Sequence, residues 1–161
     1  MKHIKMIGAV VAFVAVITGA NVVSAQPASA ACIDYQYGYS STVKTCVKYI
    51  QVLSNNVYAN NAATLGGQRI LTVDGKYGPN TTSAILNLQR HSYVTNMNGA
   101  LIPLRTDGLT GKQTWAVLCS GFNNLGIYSP DYYAMQNAGC GFGSNPLNNI
   151  YPAVSMDSRT H

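Results

Sequence analysis

The chain contains no glutamate, and its acids are five aspartates: Asp34, Asp74, Asp107, Asp131 and Asp157. Charged residues make up 9% of the 161, against about 25% in an ordinary soluble domain. Such a composition argues against a solvated, highly charged disordered chain. So few acids also argue against a glycosidase, which needs two cooperating carboxylates. Three histidines, one of them His3, leave little for a zinc hydrolase, which needs several His or carboxylate ligands. The length allows one domain, or one domain with appendages.

What is present begins with an export signal. Lys2 and Lys5 precede an almost wholly apolar run from Met6 to Thr18, and small residues follow. A basic start, a short apolar run and an Ala-x-Ala-like end describe a secretory signal peptide. The run is shorter than the ~20 residues of a spanning helix. Cleavage after Ala25 gives a signal over residues 1–25, and cleavage after Ala30 is the alternative. An uncleaved anchor is a further reading. Lipidation of Cys32 is another, although Ser29 stands where a lipoprotein signal usually has Leu. After Ala25 there remain eight basic residues and five acids, a formal charge of +3. The basic residues form no cluster in the sequence, whereas nucleic-acid binders usually gather theirs in a patch or stripe. No nucleic-acid partner is expected, and no membrane contact after signal cleavage.

Four cysteines, Cys32, Cys46, Cys119 and Cys140, are an even count in an exported chain, which fits two disulfides. Three connectivities are possible. Cys32–Cys46 with Cys119–Cys140 is preferred, because each bridge would staple one end segment to the core. Cys46–Cys119 with Cys32–Cys140 is the rival. No cysteine pair has C-x₂₋₄-C spacing, so no metal site is expected.

An internal repeat organises the middle. Asp74-Gly75-Lys76-Tyr77-Gly78-Pro79-Asn80-Thr81 and Asp107-Gly108-Leu109-Thr110-Gly111-Lys112-Gln113-Thr114 both read D-G-x-x-G-x-x-T, and the second follows the first by 33 residues. Asp-Gly is a turn signal: Gly accepts positive φ, and Asp bonds nearby backbone amides. The second glycine of each block falls at a helix N-cap. Pro79 is then the first helical residue, where its missing N–H costs nothing. Thr81 and Thr114 fall in the first turn, where a hydroxyl can help satisfy free amides. Each block is a turn that launches a helix.

One helix carries Ala84, Ile85 and Leu88 after Gly78. Another carries Trp115, Leu118 and Cys119 after Gly111. An earlier one, capped by Ser41 or Thr42, shows Val43, Val47, Ile50, Leu53, Ser54 and Val57 at spacings of three and four. The fold expected is mainly α: a small three-helix bundle over residues 32–120, with disulfides supporting a core that is marginal at this size. Residues 59–73 read as a loop with a short strand at Ile70–Val73, and residues 92–105 read as a loop. Ser129-Pro130-Asp131 starts a short C-terminal helix that Gly139 ends, within an extension over 121–140. Residues 141–161 show no period and read as a flexible tail.

Four segments taken together resemble the peptidoglycan-binding domain of the three-helix type. They are Val47-Lys48-Tyr49-Ile50-Gln51, the first block, Ala84-Ile85-Leu86-Asn87-Leu88-Gln89, and the second block with Trp115. The family pattern, roughly V-x-x-(L/I)-Q, D-G-x-(F/Y)-G-x-x-T-x-x-A-(V/I)-x-x-(F/L)-Q and D-G-x-x-G-x-x-T-W-x-x-L, is matched in order over about residues 40–120. The resemblance implies a small helical domain that holds bacterial cell-wall peptidoglycan, by glycan or by stem peptide, often alongside a wall hydrolase. The longer 59–73 connection, Leu88 in place of the commoner Phe, and the flanking cysteines depart from the pattern.

No second domain is left to carry chemistry, so no enzyme and no cofactor is expected. His91 ends a helix as a surface or capping residue, where a cation favours the dipole. The His-Gly-x-Cys-like run of a cysteine transpeptidase is absent. Asp74 and Asp107 sit in turns rather than forming an acid–base pair. The expected ligand contacts are Tyr77, Asn80, Gln89 and Arg105, with Asp74 and Asp107 shaping the loops. Gln51 and Trp115 are further candidates, although Trp115 suits the core and the glutamines suit loop bonding. Tyr35, Tyr37 and Tyr39 alternate as an extended segment, or else as a stacking surface. The function expected is a secreted, wall-associated binding module. The alternatives are an exported protein that binds another protein with the same fold and, third, a peptidoglycan hydrolase.

Overall fold

Apolar spacing sets the first helix. α1 (Thr45–Asn60) buries Val47, Ile50, Leu53 and Val57. It begins later than a Ser41 or Thr42 cap would allow, because the Lys44 amide donates to the Gly75 carbonyl at 2.9 Å and holds the chain extended there. Val43, counted above on the apolar face, is therefore exposed. The computed structural model describes residues 31–67, 70–120, 130–141, 146–159 and 161. The export signal and both cleavage points lie outside these residues.

α2 (Ala62–Leu65) is a single turn inside the expected loop. α3 (Pro79–Arg90) starts with Gly78 as N-cap and Pro79 as first residue, as the repeat predicts. α4 (Lys112–Ser120) follows the second block, and α5 (Pro130–Ala138) ends at Gly139. α1 is the hub and touches the other four helices or their neighbours, with α5 packed most extensively along it.

The expectation of a mainly α three-helix bundle is overturned. The described residues form a mixed α/β domain of five α-helices and a three-stranded antiparallel sheet of order β2-β1-β3. The expected loop at 92–105 is a hairpin of β1 (Ser92–Thr95) and β2 (Leu101–Pro103). Its turn closes on Asn96, whose Oδ1 accepts from the amides of Asn98 and Ala100. The expected flexible tail supplies a 3₁₀ turn at Pro146–Asn149 and then β3 (Ala153–Met156), which pairs along the whole of β1. Val94 of β1 is fully buried and faces Val154 across that pair. Conversely, no strand forms at Ile70–Val73. Ile70 is 84% exposed, while Leu71 is buried and tied through both backbone groups to the Asn55 side chain.

The disulfides are Cys32–Cys46 and Cys119–Cys140, the preferred pairing of the three. The first ties a 3₁₀ turn at Cys32–Asp34 to the start of α1. The second joins the end of α4 to the residue after Gly139. Among the described residues no helix is long and apolar enough to cross a membrane.

Candidate functional site

The two repeat blocks fold into two turns of the same construction. In the first, Gly75 takes φ +77° and the Asp74 carboxylate accepts the Lys76 amide at 2.8 Å. Gln51, reaching across from α1, closes the turn. Its Oε1 accepts the Gly75 amide at 2.9 Å, and its Nε2 donates to Asp74 Oδ1 at 2.8 Å, to the Lys76 carbonyl and to Thr81 Oγ1. The second turn repeats this with Gln89 of α3. Gly108 takes φ +72°, and Asp107 accepts the Leu109 amide at 2.8 Å. Gln89 Oε1 accepts the Gly108 amide at 2.8 Å, and its Nε2 donates to Asp107 Oδ1, the Leu109 carbonyl and Thr114 Oγ1. Thr81 and Thr114 thus serve the glutamines and the turn carbonyls rather than free helix amides. The bond from Gln51, then that from the Lys76 amide, holds the Asp74 carboxyl below the usual carboxylate range.

Several expected contact residues are spent inside the fold. Tyr77 is fully buried. Its hydroxyl donates to the Gly108 carbonyl at 2.8 Å and lies 2.9 Å from Thr110 Oγ1, linking one block to the other. Burial pushes its phenol up from the ordinary value. Trp115 is also fully buried, with its indole N–H donating to the Tyr35 carbonyl and its ring edge-on to Tyr37. Gln51 and Gln89 are 2% and 1% exposed and have their carboxamides fully engaged. Tyr77 and Trp115 are therefore framework residues, and the glutamines hold the turns. His91 is the C-cap of α3, its amide donating to the Leu88 carbonyl, but it is buried rather than on the surface, with Nδ1 2.9 Å from the Asp157 carbonyl.

Around these turns lie two grooves. The larger, about 620 Å³, opens beside the first turn. The buried Gln51 and Thr81 line it together with the exposed Asp74, Lys76, Asn80 and Thr72, and Tyr39 and Ile70 in its lining are largely exposed. The smaller, about 210 Å³, opens beside the second turn, with Gln89, Arg105, Asp107, Lys112 and Gln113 in its lining. Arg105 is exposed and pairs with Asp107 at 3.3 Å. Of the sequence candidates, then, Asp74, Asn80 and Gln51 meet at the first groove, and Asp107, Arg105 and Gln89 at the second. Tyr77 and Trp115 line neither.

Sequence reading missed Ile70, Lys76 and Thr72 as groove residues, while Tyr39 entered it as one reading of the alternating tyrosines. Lys76 sits at a variable position of the repeat, which was the available signal. The backbone of Lys44 and the side-chain stem of Lys48 pack against Gly75, while Lys76 lines the groove itself. Among the described residues no three of His, Cys, Asp and Glu come together as a metal-binding group. No protein-family model, curated protein or solved structure matches the chain.

Proposed function

We propose that the chain is an exported, non-catalytic module that holds bacterial cell-wall peptidoglycan in the groove beside the Asp74–Gly75 turn. The observation that carries this reading is the mixed lining of that groove. Hydrogen-bonding groups of Asp74, Lys76, Asn80 and Thr72 face the same space as the exposed Tyr39 ring and Ile70. Sugars and short peptides present polar edges and flat apolar faces, and an aromatic ring with a polar tip beside amide and ammonium donors matches both. The exposed Lys76 ammonium in the lining suits the carboxylates of stem peptides. The ordered motif match over residues 40–120 supports the same ligand, and two disulfides fit an oxidising, extracellular location. A separate wall hydrolase is the expected companion.

The test is sedimentation of the processed protein with purified insoluble peptidoglycan. Wild type is retained. Tyr39→Ala and a Lys76→Ala/Asn80→Ala double variant, all at exposed positions, keep the circular dichroism of wild type and lose retention about ten-fold or more, the equivalent of ~1.4 kcal/mol. A wild-type protein that stays in the supernatant overturns the reading. Capture of a protein from culture medium in its place would favour the interaction-protein alternative. Clearing of a wall suspension by the protein alone would favour the hydrolase.

A further inference from the structure

The smaller groove is the larger one repeated. Thr72, Asp74, Lys76 and Asn80 of the first stand 33 residues before Arg105, Asp107, Leu109 and Gln113 of the second. Gln51 and Gln89 are equivalent through their matching bonds to the two turns. Even the strand-like N-terminal segment repeats. Ser40 bridges Tyr77, and Tyr37 bridges Thr110, the equivalent of Tyr77 in the second block. The residues just before them, Tyr39 and Gln36, line the first and second groove in turn. Every lining residue of the second groove except Tyr151 stands at a position equivalent to one lining the first.

The chemistry is kept while the residues change. Each groove retains its carboxylate, and a carboxamide occupies the second helical position in both, Asn80 in α3 and Gln113 in α4. The cation is kept but moves. Lys76 of the first turn is replaced by Leu109, while Pro79 and Thr72 are replaced by Lys112 and Arg105. Arg105 pairs with Asp107 at 3.3 Å, whereas Lys112 adds a further exposed cation in the second groove's lining. The lining of the second groove has no counterpart of the Ile70 and Leu71 wall, and its volume is smaller.

We propose that one chain carries two binding sites for the same repeating ligand, the strong one beside Asp74 and a weaker one beside Asp107. This rests on the peptidoglycan reading above. The ligand of the second groove is the same class of unit, a sugar–peptide fragment with a carboxylate, held by Arg105, Lys112 and Gln113. Two sites on one small body give the polymer an avidity that a single fragment does not enjoy.

The experiment is an amide NMR titration of the disulfide-intact protein with a disaccharide–stem-peptide fragment released from peptidoglycan by a muramidase. Two sets of shifts are expected, one about Asn80 and one about Gln113, saturating at different concentrations. A Lys112→Ala/Gln113→Ala variant abolishes the second set and leaves the first. A Lys76→Ala/Asn80→Ala variant does the reverse. On insoluble wall, each double variant weakens retention by about ten-fold or more, and the quadruple variant is not retained. Shifts about Asn80 alone, with Lys112→Ala/Gln113→Ala binding insoluble wall like wild type, overturn the second site and leave the peptidoglycan reading standing. No shifts with wild type, and no retention on wall, overturn both.

Discussion

Tyr77 hydrogen-bonds to the Gly108 backbone carbonyl across 2.8 Å, so the side chain of one turn closes the backbone of the other. The two turns are thereby one mechanical unit. Tyr77→Phe keeps the ring in place but leaves the Gly108 carbonyl without that donor. The expected loss of stability is about 1–2 kcal/mol, read as a lower urea midpoint with an unchanged slope.

The same burial sets an alkaline limit. The folded phenol of Tyr77 titrates above its unfolded value of 10.0, because burial disfavours the phenolate. A raised pKa contributes stability that is intact below pH ~10 and is lost as the pH climbs past it. Unfolding midpoints should therefore be flat from neutrality to about pH 10 and fall above it. Tyr77→Phe should flatten that fall, since its unfolded chain has no phenol to ionise at this position.

Gln51 and Gln89 each satisfy a turn that has no other buried donor–acceptor set to replace them. Gln51→Leu or Gln89→Leu strands the amide of Gly75 or Gly108 in a buried place. Each should cost about 3 kcal/mol or more, measured by urea unfolding. The two losses should not add, because Tyr77 couples the turns.

How much of this was legible beforehand differs by element. The Asp-Gly turns and Pro79 at the start of α3 follow from residue chemistry that acts over a few positions, and two bridges follow from the even cysteine count, while their pairing was one preference among three connectivities. The sheet does not. β1 and β3 have four residues each and β2 three, too short for a period-two signal to stand out. The partner that makes β1 a central strand also lies far along the chain, in a stretch rich in Gly, Asn and Pro. Tyr77 and Gln89 misled for another reason. A polar-tipped ring and an amide suit a ligand and a buried backbone carbonyl equally well, and only the packing shows which one they meet.

At the sheet's far end, the Arg159 guanidinium, followed by the Arg159 backbone amide, draws the Asp157 carboxyl down to about 2. Asp157 also exchanges backbone and ring contacts with His91. A depressed carboxyl contributes stability that is present above its ordinary value of 3.8 and lost as the pH falls towards 2. Hydrogen exchange at the β3 amides should accelerate over that range before exchange at α1 does. Arg159→Ala should move the onset to higher pH, tracked by the Asp157 side-chain carbon resonance.

Removing the Cys119–Cys140 bridge by a double alanine substitution should cost about 3 kcal/mol, from the freedom its loop regains in the unfolded chain. The loss should fall on α5 first, since α5 is held between α1 and that bridge. Calorimetry of the variant against wild type gives the magnitude, and exchange at the α5 amides gives the place.

β3 joins β1 from near the last described residues, and α5 seals α1 only a little earlier in the chain. A ribosome must therefore deliver the chain through Met156 before the sheet can close, and through Ala138 before α5 can seal α1. Until then Val94 and one flank of α1 lie bare, and contacts between residues so distant in sequence form slowly. The late β3 segment acts as the bolt that shuts the domain.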